Sequence, residues 1–297
     1  AALSFAVDAA DGRWRAADGD WPDALSFLEA ERDSGGFRVL WVGDPAALPL
    51  DPFVARDGTG YVLTRNGPGD ATELWHAPAG EAEDLVAEAI VLASDRRTER
   101  LGHLLAPMSV RYVAVPDSSG PGASETVAAP GLARALDDQL DLSRLESPPG
   151  LVLYQNTAWI SSPGTVGPAD ARKVPLRSKD PTQAALRGDL GGVRAVRGAP
   201  SDSAPTGPGR VLWSEAFDTD WSASASGREL RHVEPFGWEN GFDTSRRSSV
   251  SIRYGGQLRR YGLILVQVAL SIGFFALAWR GRAGRRPRRR RVRRPSP

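Results

Sequence analysis

The residues that could do chemistry in this 297-residue chain are 36 carboxylates, nine Trp and three His, with no Cys at all. Without Cys there is no thiol nucleophile, no disulfide framework and no Cys-based zinc or iron–sulfur site. The three imidazoles, His76, His103 and His232, fall in separate segments with no HExxH spacing, so no local framework converges them on a metal. The chain also has no GxSxG elbow, no GxxxxGK(S/T) phosphate loop and no GxGxxG fingerprint, which removes the usual support for hydrolase, P-loop and dinucleotide-binding chemistry. No catalytic residue, metal ligand or cofactor is expected from these patterns.

Two weaker patterns remain. Asp18-Gly19-Asp20 is a D-x-D triplet, whose carboxylates suit a divalent ion, but it stands just before a helical stretch where Asp caps free backbone N–H groups. Capping is the expected role. A calcium loop from Asp8, Asp11, Asp18, Asp20 and Asp23 lacks the D-x-D-x-D-G spacing. The second pattern is aromatic: Trp213, Trp221 and Trp238 lie near turns in the second half, the last of them followed by Glu239 and Asn240. Indole faces stack on the C–H faces of sugar rings while carboxylates and amides bind hydroxyls, so these five are the candidate glycan contacts. The competing role for the same Trp residues is to fill the core of a small β module.

The elements that must position these residues divide the chain into five stretches. Residues 1–160 read as an α/β domain in the order αββααβαβ. Trp21, Leu25 and Leu28 share a helical face, and 37–43 (FRVLWVG) and 60–64 (GYVLT) read as strands. Helices are expected over 81–93 and, behind Ser94 as N-cap, over 95–105. A strand at 110–116 (VRYVAVP), a helix near 130–139 and a strand at 151–156 (LVLYQN) complete the layer. Residues 161–210, rich in Pro, Gly and Ser, are expected as a linker or long loop. Residues 211–256 carry short strand-like pieces separated by Gly, Asp and Pro, and read as a sandwich-like all-β module close to a membrane.

That membrane expectation comes from 257–280. Its uncharged run, YGLILVQVALSIGFFALAW at 261–279, would reach about 28 Å as a helix, close to the hydrocarbon thickness. Tyr261 and Trp279 stand at its ends, where aromatic rings prefer the headgroup level. The tail 281–297 continues an Arg series that opens with Arg280, Arg282, Arg285 and Arg286; ten Arg and no acid follow Trp279. The remainder carries 27 basic against 36 acidic groups, a formal net of −9. Positive-inside bias puts the Arg tail in the cytoplasm and the acidic bulk outside. A polybasic tail can bind nucleic acid, but directly after a spanning helix it serves as a topology anchor on anionic lipid. The expected partner is therefore the bilayer, not nucleic acid. An outer body with a cytoplasmic C-terminus needs an earlier segment to start translocation, and 1–14 (AALSFAVDAADGRW) carries no signal sequence. The C-terminal piece of a longer membrane protein, or a trimmed one, is expected.

Two stretches, LGHLLAPMSVRYVAVP at 101–116 and LDLSRLESPPGLVLYQNTAW at 140–159, carry a family resemblance. Their order of helix, aromatic-bearing strand and L-x-L-Y-x-N strand resembles the extracytoplasmic C-terminal region of actinobacterial multi-pass membrane proteins. Those proteins are classed as family-2 glycosyltransferases, and include YfhO-type and arabinofuranosyltransferase-like members that use lipid-linked sugars. The resemblance implies a cell-envelope setting, with cell-wall glycan or polyprenyl-linked sugar as ligand and catalysis elsewhere in the parent. A non-enzymatic envelope interaction domain is the alternative. A free-standing hydrolase would need two carboxyl groups across a cleft.

Overall fold

A computed structural model describes residues 20–69, 73, 79–118, 120–121, 130–187, 194–195 and 204–283. It divides into two units, one ending at Arg253 and one beginning at Tyr254. The first is a mixed α/β body with three sheets, part of it all-β.

Helices α1 (Trp21–Ala24) and α2 (Leu28–Glu31) open it, followed by β1 (Arg38–Gly43), β2 (Phe53–Val54) and β3 (Gly60–Arg65). Next come α3 (Glu81–Ser94), α4 (Leu101–Leu105), β4 (Val110–Pro116), α5 (Pro130–Asp137), β5 (Leu142–Leu145) and β6 (Leu151–Asn156). The six strands form one sheet in the order β2-β3-β1-β4-β6-β5. Only β1 and β4 run parallel; the other neighbours are antiparallel.

Both faces of this sheet are covered, and strand alternation divides its side chains between them. Val39, Trp41, Tyr112, Ala114 and Leu153 face Trp21, Leu25 and Leu28 of the opening helical turns. Leu40, Val42, Val113, Val115 and Tyr154 belong to a second core with Val86 and Ile90 of α3, Leu101, Leu104 and Leu105 of α4, and Leu132 and Leu136 of α5. The opening helix, expected as one piece, is two short turns joined by i to i+3 bonds from Ser26 N to Asp23 O and from Leu28 N to Leu25 O. The helix expected over 95–105 is shorter still. Arg96 takes a left-handed φ of 55° and Arg97 N bonds back to Leu92 O, so α3 runs on through Ser94 and stops, and α4 starts only at Leu101. Ser94 thus ends one helix and does not cap the next.

Residues 161–210 differ from the expected linker wherever they are described. They supply β7 (Gly164–Val166), α6 (Pro168–Ala171), α7 (Pro181–Arg187), β8 (Arg194–Ala195) and β9 (Ala204–Thr206). Val166, Ala171, Val174, Ala184 and Ala185 are buried in the same core as α3 and α4. Small side chains fill this part of the core, so the sequence lacks the large apolar residues that would announce it.

The all-β part continues with β10 (Gly209–Ala216), β11 (Trp221–Ala225), β12 (Arg228–Glu229), β13 (Arg231–Val233), β14 (Glu239–Thr244) and β15 (Ser248–Tyr254). Two sheets result, β13-β14-β10-β7-β8 and β12-β11-β15-β9. Between them pack Val211, Trp213 and Phe242 from the first and Ala223, Ala225, Val250 and Ile252 from the second. Leu212 points the other way and joins Phe236 and Trp238 in the helix-lined core, so the sandwich and the α/β layer share one interior.

The second unit holds α8 (Gln257–Ala283). Over 261–275 its side chains are exposed on every side, among them Leu263, Leu265, Leu270, Phe274 and Phe275 at 64–71%. Among the described residues no helix is long and apolar enough to cross a membrane. Side-chain description in α8 covers 261–275, and the uncharged run of the sequence continues to Trp279.

Candidate functional site: an arginine and glutamate cleft

A cleft of about 320 Å³ opens between β3, the first turn of α3 and the end of β10. Phe53, Tyr61 and Leu63 form one wall, Glu215 and Ala216 another, and Trp238 and Met108 lie at its base beside Arg38.

Its charged centre starts from a strained pairing. Arg38 and Arg65 stand directly opposite each other on antiparallel β1 and β3, and like charges in that position repel. Glu215 Oε1 relieves the repulsion by accepting from Arg38 Nη2 at 2.9 Å and from Arg65 Nη2 at 2.8 Å. Arg38 is the buried partner and also donates to Met108 O and Ser214 O, each at 2.7 Å. Burial pushes its guanidinium below the usual value and the Glu215 carboxylate opposes that shift; an Arg stays charged regardless. Arg65 is mostly exposed, with its side chain 62% accessible.

Glu215 reaches this position through a bulge. Trp213 pairs with Asn240 and Ala216 with Glu239, so Ser214 and Glu215 have no partners on β14. Bulges re-aim side chains in this way and leave backbone groups to be satisfied elsewhere. Asn240 satisfies them: its Nδ2 donates to Glu215 O at 2.8 Å and to Ala216 O at 2.9 Å. That fixes its Oδ1 as acceptor, which takes Asp218 N at 3.3 Å and His232 Nε2 at 2.9 Å. His232 therefore carries its proton on Nε2. The imidazole is stacked between Phe217 and Phe242, with centroids 4.6 and 4.8 Å away.

Of the five expected glycan contacts, Trp213, Trp238, Glu239 and Asn240 are buried and Trp221 is half-buried. Trp213 meets Trp221 edge-on at 5.6 Å inside the sandwich. Glu239 and Asn240 have no exposed surface, and Trp238 is 2% exposed as the floor of the cleft. The reason is the alternation of β10 and β14, both of whose faces are covered, so aromatic side chains near turns in sequence point into cores. Neither Glu239 carboxyl oxygen has a hydrogen-bond partner among the described residues. Burial holds that carboxyl well above its usual value of 4.5, against the pull of Arg38 and Arg210.

The other residues singled out by sequence fall elsewhere. Asp20 caps α1 by accepting from Asp23 N at 2.9 Å; Asp8, Asp11, Asp18 and Gly19 lie outside the described residues, as does His76. His103 Nδ1 is 2.7 Å from Asp141 Oδ2. The same carboxylate accepts from Gly102 N and His103 N, so Asp141 serves the start of α4. No three His, Asp or Glu among the described residues are placed to hold a metal ion. Tyr261 is 57% exposed on α8. Trp279, Arg280 and Arg282 fall within that helix, their side chains outside the description, and Arg285 and Arg286 lie beyond the described residues.

Chemically the cleft is suited to binding. Its carboxylates are engaged by donors: Glu215 by two guanidiniums, Glu83 by Gly80 N at 2.9 Å and Glu73 by Arg65 N at 2.8 Å. A carboxylate so held is a poor base or nucleophile. Arg38, Arg65 and Glu215 carry no signal in the sequence, because no local spacing joins positions that only the β1–β3 register and the β10 bulge bring together. The chain matches no family model, no curated protein and no solved structure.

Proposed function

We propose that this chain is the outer, membrane-anchored portion of a cell-envelope glycosyltransferase-like membrane protein, binding glycan or lipid-linked sugar beside the bilayer while other parts carry out the transfer. The observation that carries the reading is α8, whose apolar side chains are exposed all round over 261–275. A helix apolar on every face is stable where lipid surrounds it. With the run to Trp279 it reaches about 28 Å, enough to span. The ten Arg beyond it favour a cytoplasmic C-terminus and an outer acidic body.

The glycosyltransferase part is supported by the resemblance carried by 101–116 and 140–159. These stretches are neighbours in the body: β4 pairs with β6, and Asn156 Nδ2 donates to Gly102 O at 2.9 Å and to Val110 O at 2.8 Å. The Asn of the L-x-L-Y-x-N strand thus ties the helix to the strand, which gives the shared pattern a structural purpose. Burial of Trp213, Trp238, Glu239 and Asn240 favours a second reading, a non-enzymatic single-pass interaction domain. The native reading frame upstream of Ala1 separates the two. Several hydrophobic spans and a nucleotide-sugar domain there support the glycosyltransferase parent; a signal peptide alone overturns it and leaves the single-pass domain.

A further inference from the structure

We infer that the cleft under β2 and β3 binds one uncharged sugar ring, held by Arg65 and Glu215 through two adjacent hydroxyl groups. The inference deepens the proposed function and rests on its reading of the body as a glycan-binding domain.

Two groups in the cleft have unused hydrogen-bonding valences. Arg65 spends Nη2 on Glu215 Oε1, and its Nε and Nη1 donate to nothing among the described residues. Glu215 spends Oε1 on two guanidiniums, and its Oε2 accepts from nothing there. A free donor therefore sits beside a free acceptor. A hydroxyl is both donor and acceptor, so one hydroxyl of a vicinal pair accepts from Arg65 while the next donates to Glu215. A carboxylate or phosphodiester group has no proton to give Glu215, and its charge is repelled by that carboxylate.

Charge points the same way. Two guanidiniums, Arg38 and Arg65, face three carboxylates, Glu73, Glu83 and Glu215, around the cleft. The balance is net negative and does not favour an anion. Half-buried Phe53, backed by the buried Tyr61 ring with centroids 5.6 Å apart, supplies the apolar wall for the C–H face of a ring. A volume of about 320 Å³ is at the small end of ligand sites and suits a single ring.

The site is also built before a ligand arrives. The Glu215 bulge is held from below by Asn240 and from the side by Arg38, so little ordering cost remains for binding. Asn240, expected from sequence to touch the sugar, is instead a positioning residue.

The test uses the full chain in a detergent without a sugar headgroup, titrated with neutral methyl hexosides and pentosides and with glucose 1-phosphate, by ligand-observed NMR. At least one neutral glycoside is expected to bind saturably, and glucose 1-phosphate no tighter than methyl glucoside. Arg65→Ala, on an exposed side chain, is expected to weaken that binding about tenfold, the worth of one charge-assisted hydrogen bond. Glu215→Gln serves as a second variant, with circular dichroism as the fold control. No binding by any neutral glycoside, tighter binding of the phosphate, or unchanged binding in Arg65→Ala overturns the inference. A chain that floats with membranes and follows hydrophobic spans, yet binds no glycoside, overturns the cleft assignment alone. Glycoside binding by a chain preceded only by a signal peptide overturns the glycosyltransferase parent alone.

Discussion

Replacing Glu239 by Gln should shift stability in favour of the variant as pH rises. The carboxyl is fully buried, neither oxygen has a partner among the described residues, and burial raises its folded-state pKa well above 4.5. In the unfolded chain it ionises near 4.5. A raised folded-state value means the stability contribution is fully present below pH 4.5 and is lost as pH climbs toward the folded value, since only the unfolded chain gives up its proton. Between the unfolded and folded values the loss runs at up to about 1.4 kcal/mol per pH unit. Gln has the same shape and no titration, so any fixed cost of its amide is the same at both pH values. The assay is denaturant unfolding of both proteins followed by Trp fluorescence at pH 5, 6 and 7. Parallel pH profiles would refute the reasoning. So would a wild type that gains on the variant with rising pH, which would mean an ionised Glu239 attracted to Arg38 and Arg210.

Three further outcomes follow from the same geometry. Asn240→Ala strands two carbonyls of the Glu215 bulge and the donors of Asp218 and His232; it should cost about 3 kcal/mol, read by unfolding. At temperatures where the variant is folded it should also weaken glycoside binding. Gly102→Ala would put a Cβ 2.3 Å from Asn156 Oδ1 and 2.7 Å from Asp141 Cγ, both locked by hydrogen bonds, and should lower stability by about 2 kcal/mol. Leu270→Arg places a charge midway along α8, 70% exposed in wild type, at an insertion cost of about 3 kcal/mol. The fraction of chain resisting alkaline carbonate extraction should fall; an unchanged fraction would speak against a spanning helix.

Strands were the most legible part of the fold. FRVLWVG reads as a strand because both faces of β1 are buried and nearly every residue must be apolar or aromatic. The pieces between 211 and 254 stand out because Gly, Asp and Pro separate them. Residues 161–187 were opaque for the opposite reason: Ala171, Ala184 and Ala185 enter a core that large neighbours already fill. The short α4 was hidden because one left-handed residue, Arg96, breaks an otherwise continuous helical pattern. Candidate site residues were the least legible. Trp238 was singled out and does line the cleft, as its floor. The groups with unused valences, Arg65 and Glu215, are 150 residues apart and meet only through strand register and a bulge. A sequence pattern can show that Trp and Glu are near each other along the chain; it does not show which face of a doubly covered sheet each one occupies.

The central claim is that α8 anchors the chain with its body outside and its Arg-rich end inside. The chain has no Cys, so one can be introduced without background. The most direct measurement labels Arg56→Cys, at an exposed turn of the body, and Ser296→Cys, near the C-terminus, with a membrane-impermeant maleimide in intact cells. The account predicts labelling of Arg56→Cys at once and of Ser296→Cys only after permeabilisation. Labelling of both in intact cells, or of Ser296→Cys alone, would contradict it.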